Sequence, residues 1–124
     1  WEAACGFMGV ETALPLMLSQ GNKGRISLEY YSKLVSENPA RIWKLFPQKG
    51  TIQVGSDADF VLVDLKREGT IEAKNLHSKN RLTPFNGWCV KGLPKYTILR
   101  GKVIMEEGVV SGTPSGKWVR PINS

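Results

Sequence analysis

Apolar residues in the first 48 positions recur at helical spacing. Val10, Ala13, Leu14, Met17 and Leu18 fall at i, i+3, i+4, i+7 and i+8, which predicts one buried stripe on a helix capped by Thr12. Pro15 then lies in the first turn, where its missing N–H has no helical partner to lose. A second helix is predicted from Ser27, as N-cap, to about Glu37, with Leu28, Tyr31, Leu34 and Val35 facing inward. Asn38-Pro39 restarts the chain as cap and first helical residue. Ala40, Ile42, Trp43 and Phe46 supply the buried side of that last helix, and Pro47 ends it.

From Gly50 the texture changes to short β-rich runs set off by Gly and Asp. Thr51–Val54 is a candidate strand, and Phe60–Val63 is a continuous apolar run of the kind covered on both faces. Thr97–Arg100 and Lys102–Met105 follow as strands, and Glu106-Glu107-Gly108 turns the chain into Val109-Val110. Lys66 to Pro94 reads as loop, with weak strand signals at Thr70-Ile71 and Trp88-Cys89-Val90. The boundary between the two textures falls at Lys49-Gly50, giving segments 1–48 and 49–124. Helices followed by about four short strands do not close one core, and Phe60–Val63 lacks cover, so strands from outside this sequence are expected to complete it.

Composition narrows the classes. With 41% hydrophobic and 23% charged residues the 124-residue chain is an ordinary globular sequence. It begins at Trp1 with no signal-peptide pattern and holds no apolar run near the roughly 20 residues that span a bilayer. Neither membrane nor nucleic acid is expected as a partner. The net charge of +6 is spread from Lys23 to Arg120 and broken by Glu29, Asp57, Asp64 and Glu106. Cys5 and Cys89, far apart, fit reduced thiols of a cytoplasmic protein.

Candidate chemistry is sparse. The single histidine, His77, stands in the polar loop Asn75–Lys79 without an HxH, HExxH or Cys/His cluster. A hydrogen-bonding role is therefore expected of it and no metal is expected to bind the chain. Asp57 and Asp59 could be paired carboxylates, but Gly55–Asp59 reads as a turn whose side chains bond the backbone entering a strand. Glu106-Glu107-Gly108 is a hairpin tip. The segment Cys5-Gly6-Phe7-Met8-Gly9 alone has functional promise, because glycines before a helix let a backbone approach a ligand closely. Residue chemistry taken alone stops at a soluble α+β segment without an identifiable active site.

Several stretches resemble the C-terminal part of the cyclic amidohydrolases, the group of dihydroorotase, allantoinase and hydantoinase/dihydropyrimidinase. Gly9–Leu16 is similar to a GxETxLPL run of dihydroorotases, and Ser36–Ile42 to the group's SxNPA(K/R)I element. Lys49–Asp64 is similar to its KGxIxxGxDADxVLVD signature. Thr83–Gly87 and Ile98–Val103 resemble later elements. Order and spacing extend over nearly the whole chain, and the GxETxLPL run points towards dihydroorotase.

The resemblance implies an α/β parent, a TIM barrel with a metal centre and a composite β-sandwich built from both chain ends. Residues 1–48 would be the loop and helices closing the barrel, and 49–124 the C-terminal share of the sandwich. It implies zinc in the parent, with metal-binding histidines, a carboxylated lysine and a catalytic aspartate all upstream and without counterpart here. The implied activity is reversible hydrolysis of dihydroorotate to carbamoyl aspartate. Allantoin or a hydantoin is the alternative substrate, and a non-catalytic assembly homologue the alternative of another class. The one functional element carried over is a loop over the substrate whose backbone contacts the ring at Cys5 and Gly6. Ala4 and Met8 depart from the usual pattern there, where proline, or at Met8 also a small aliphatic residue, is common. The chain alone is expected to be inactive and, with strands unpaired, to associate with copies of itself.

Overall fold

The computed structural model describes residues 6–122. Its elements run α1 (Val10–Asn22), α2 (Leu28–Ser32), a π-helical stretch (Lys33–Glu37), α3 (Asn38–Ile42), β1 (Phe60–Thr70), a 3-10 turn (Ala73–Asn75), β2 (Cys89–Leu99), β3 (Lys102–Glu106) and β4 (Val109–Val110). The strands form one sheet in the order β1-β2-β3-β4. The described chain divides into two compact units. One gathers the chain up to Arg25 with Asp64–Leu93, and the other joins Ile26–Val63 to the chain from Pro94 onward. The strands β1 and β2 each contribute residues to both.

In the first unit α1 starts earlier than its sequence suggests, with Gly9 as N-cap instead of Thr12. Thr12 is instead a buried helical residue, 2% exposed, whose hydroxyl donates back to the Gly9 carbonyl. The buried stripe is accordingly turned to Thr12, Pro15, Leu18 and Ser19, and Val10 is left 92% exposed. Pro15 is a residue of the helix interior, not of its first turn, and has no N–H to return to the Glu11 carbonyl.

The reason for the rotation is polar. The Ser19 hydroxyl accepts from the Lys91 N–H at 2.6 Å and donates to the Lys91 carbonyl at 3.2 Å, treating β2 as a neighbouring strand would. Asn22 Nδ2 donates to the Lys91 and Leu65 carbonyls at 2.9 and 3.1 Å. The approach is close enough that a Cβ on Gly92 would lie 2.7 Å from that of Leu18. Beyond the strand ends, Ile71 N–H donates to Trp88 O and Gly87 N–H to Ile71 O, so pairing continues past Thr70. Ile71, Leu76 and Val90 are buried with Leu18.

In the second unit Ser27 caps α2 as expected, accepting from the Tyr30 N–H. Asn38-Pro39 does not restart the chain: Asn38 is fully helical, and the helical path runs through the π stretch into α3. A widened turn just before Pro39 accommodates a residue that cannot donate. Tyr31 and Ala40 are buried, whereas Leu28, Leu34, Val35, Ile42 and Trp43 are exposed.

Thr51–Val54 is not a strand. Gly50 and Gly55 flank it at positive φ, Ser56 N–H turns back to Gln53 O, and Ile52 and Val54 stand free. A strand exists only through a ladder, and none of the described strands pairs with this segment. Phe60–Val63 does enter a strand, but β1 is a sheet edge and Val61 and Leu62 are 48% and 47% exposed, not covered on both faces.

The turn at Glu107-Gly108 is as expected, but the stretch Lys66 to Pro94 is not all loop: β1 runs on to Thr70 and β2 already begins at Cys89, ending at Leu99 so that Arg100 falls in the turn. In the β2–β3 pair Tyr96 faces Glu106 and Leu99 faces Lys102, with an irregularity between Thr97 and Ile98. In the β3–β4 pair Met105 faces Val110 and Glu106 faces Val109. Both two-residue tips, Arg100-Gly101 and Glu107-Gly108, hold positive φ at both positions, the mark of the type I′ turn that suits twisted strands.

Candidate functional site

The segment Gly6–Met8 leads through the N-cap Gly9 into α1 in the first unit. Gly6, Phe7 and Met8 are exposed. A Cβ on Gly6 or Gly9 would meet nothing within 4 Å. The segment is held where it joins the helix: the Gly9 carbonyl accepts from the Ala13 N–H at 2.8 Å and from the Thr12 hydroxyl at 3.4 Å. Of the two positions singled out from the sequence, Gly6 is exposed. Cys5 lies outside the described residues.

Glu11, in the first turn of α1, is gripped from a distant loop. The His77 N–H donates to its Oε1 at 2.8 Å and to Oε2 at 3.1 Å, His77 Nδ1 lies 3.0 Å from Oε2, and the Ser78 hydroxyl donates to Oε1 at 3.3 Å. Partial burial pulls the Glu11 carboxyl upward, but the bonds from the His77 ring and main chain and from Ser78 outweigh it and hold the group below its ordinary value. His77 therefore has the hydrogen-bonding role expected of it, as an exposed residue with a carboxylate partner. That partner was not legible: Glu11 and His77 are 66 positions apart, and no local spacing joins them.

Asp57 and Asp59, in the second unit, come together, though not as an acid–base pair. Lys49 Nζ binds both, at 2.8 Å from Asp57 Oδ2 and also in contact with Asp59 Oδ2. Asp59 Oδ1 accepts from the Arg100 N–H at 2.7 Å, and Gly101 N–H donates to Ala58 O. The Lys49 bond leads in holding the Asp57 carboxyl low. For Asp59, burial raises the carboxyl, and the bonds from Lys49 and Arg100 N–H overcome it. Two carboxylates held charged by one ammonium are fixed as a turn, as the Gly-Ser-Asp-Ala-Asp pattern suggested, and neither is poised to carry a proton at neutral pH.

Thr70, Glu72, Ala73, Lys74, Asn86 and Gly87 border a hollow of about 410 Å³ in the first unit. Its polar groups already serve one another: Lys74 pairs with Glu72, and Asn86 Oδ1 accepts from the Ala73 N–H. Among the described residues no three His, Cys, Asp or Glu side chains lie close enough together to hold a metal ion. The chain's described residues do not fit a metal centre. None of its described helices is long and apolar enough to cross a membrane.

The sequence matches the model of the Amidohydrolase family over residues 4–104. It is 45% identical over 111 residues to the L-hydantoinase of Paenarthrobacter aurescens, covering 89% of this chain and 24% of that protein. To the dihydroorotase of Pyrococcus furiosus it is 46% identical over 116 residues, covering 94% of this chain and 28% of that one. The chain thus spans about a quarter of the length of such curated relatives. Among solved structures, the L-hydantoinase (dihydropyrimidinase) of Arthrobacter aurescens superposes with a TM-score of 0.86 at 44% identity, over 90% of this chain and 25% of that one. A D-hydantoinase superposes with a TM-score of 0.79 at 46% identity, over 86% of this chain and 23% of that one.

Proposed function

We infer the function from one premise: the chain belongs to the amidohydrolase family, beside its dihydroorotases and hydantoinases. In our reading it is the C-terminal part of a cyclic-amide hydrolase, and the parent protein opens dihydroorotate to carbamoyl aspartate and closes it again. Residues 1–48 then close a TIM barrel, and 49–124 form the C-terminal share of a composite β-sandwich. The observation that supports this reading is the superposition of 90% of the chain, at a TM-score of 0.86 and 44% identity, on a quarter of an L-hydantoinase. The GxETxLPL-like run Gly9–Leu16 favours dihydroorotate. A hydantoin is the second reading, favoured by the 45% identity to an L-hydantoinase.

Either ring is opened by the same balance. Water adds at the ring carbonyl, the carbonyl–nitrogen bond breaks, and the departing nitrogen takes up a proton as the carboxylate forms. The zinc, its histidine and carboxylated-lysine ligands and the proton-carrying aspartate belong, in this reading, to upstream sequence. This chain contributes the pocket wall at Cys5 and Gly6, where the absence of a side chain on Gly6 lets the ring lie against the main chain. The free, exposed thiol of Cys89 fits a reducing cytoplasmic setting. The long edge strand β1 fits a homo-oligomer.

The test is turnover of dihydroorotate, a hydantoin and allantoin by the chain restored to its full upstream reading frame, with the 124-residue chain as control. Opening of dihydroorotate by the long form and of nothing by the short one is the expected result. Opening of the hydantoin alone selects the second reading. Silence on all three rings transfers the protein to a non-catalytic assembly role.

A further inference from the structure

We propose that Glu11 and His77 are positioning residues that aim the segment Gly6–Gly9, an inference that rests on the pocket-wall reading above. Helix α1 is pinned at two places within its unit. Its C-terminal half is fixed by Ser19 and Asn22 on the main chain of Lys91 and Leu65. Its first turn is fixed by the Glu11 carboxylate on His77 and Ser78. Between the two pins stands Pro15, which withholds one helical hydrogen bond and makes that point the natural bend.

The far side of the Glu11 grip is firm. Leu76, next to His77, is buried, and its N–H donates to Ala73 O. The Ala73 N–H in turn donates to Asn86 Oδ1, beside the Ile71–Trp88 pairing. On the near side, Gly6, Phe7 and Met8 make no hydrogen bond to another described residue, so their direction is inherited from the first turn of α1. The assembly is a lever: with the Glu11 grip released, the segment swings about Pro15 while the rest of the helix stays on β2. Neither residue touches the reacting atoms in this scheme. Each acts by presenting the backbone at Gly6 at a fixed angle to the ring.

The experiment uses the restored protein, on dihydroorotate first and the hydantoin second. Glu11→Ala is expected to raise KM about five- to tenfold with kcat within about twofold, as for a contact that orients binding and not chemistry. His77→Ala is expected to do less, because the His77 main-chain N–H still reaches the carboxylate. Glu11→Gln, which keeps an acceptor for that N–H, is expected to recover most of the loss. The double variant is expected to be no worse than Glu11→Ala. Hydrogen exchange gives a second readout: in Glu11→Ala the Ala13 amide is expected to exchange faster while Ser19–Asn22 stay unchanged. Turnover with KM unchanged in Glu11→Ala overturns the proposal and leaves the function standing. So does a loss of kcat that merely tracks a lower folded fraction. If wild type opens no ring, the functional reading falls and exchange judges the lever alone: unchanged exchange at Ala13 overturns it, and faster exchange confined to the first turn upholds it.

Discussion

Gly50 shows how much a single position decides. Its φ of +83° lies in the left-handed region, and an added Cβ would stand 2.6 Å from the Ala40 Cβ and 2.8 Å from the Ser36 carbonyl oxygen. Neither neighbour is the loose end of a flexible side chain, so nothing cheap can move. Gly50→Ala is expected to destabilise the restored protein by about 3 kcal/mol, from backbone strain and overpacking together, read as a lowered denaturant midpoint. Gly101→Ala is the contrast, with a similar φ of +76° and open space around it. It carries the strain alone and is expected to cost about 1 kcal/mol. Equal losses at the two positions would show that the contact with Ala40 contributes nothing.

Between elements, the Lys49–Asp57–Asp59 cluster ties the turn before β1 to the tip of the β2–β3 hairpin through the Arg100 N–H. Both carboxyls are held below their ordinary value of 3.8, so they stabilise the fold above that value and lose the contribution as pH falls through the lower folded-state values. Lys49 has the opposite sign. Burial alone would lower it, but the bonds to Asp57 and Asp59 raise it above 10.5, so its contribution is intact below 10.5 and fades in more alkaline solution. Lys49→Met is expected to lower the melting temperature at pH 7 and to flatten its fall below pH 4. An unchanged acid limb in that variant would sink the assignment. This tie also marks what could be read in advance. Ser27, the Glu107-Gly108 tip and the Gly55–Asp59 turn follow from residues adjacent in sequence, and all three were legible. The stripe of α1 was not, because Ser19 and Asn22 turn the helix to serve main-chain groups of Lys91, 72 and 69 positions away. Thr51–Val54 had the composition of a strand and lacked a ladder. Of the candidate site, the glycines at 6 and 9 were visible, whereas the grip of His77 on Glu11 existed only once the chain had folded.

Over the whole molecule the apolar surface is the dominant unspent term. Val10, Ile42, Trp43, Ile52, Val54 and Trp118 are all exposed, and the edge strand β1 presents eleven residues of backbone. The net charge of +6 opposes association of like copies, but it is spread along the chain and screened within about 8 Å at physiological salt. Apolar burial and strand pairing act at contact and are not screened. The 124-residue chain is therefore expected to associate with itself, and added salt is expected to strengthen the association by weakening the repulsion. An association driven by ion pairs would respond in the opposite sense. Sedimentation velocity across a concentration series at low and high salt separates the cases. A species that stays monomeric at every concentration, with a sharp cooperative melt, would show that the exposed apolar residues need no partner. Association that salt dissolves would place the contact on charges such as Glu68 and Lys91 instead of on β1 and the apolar faces.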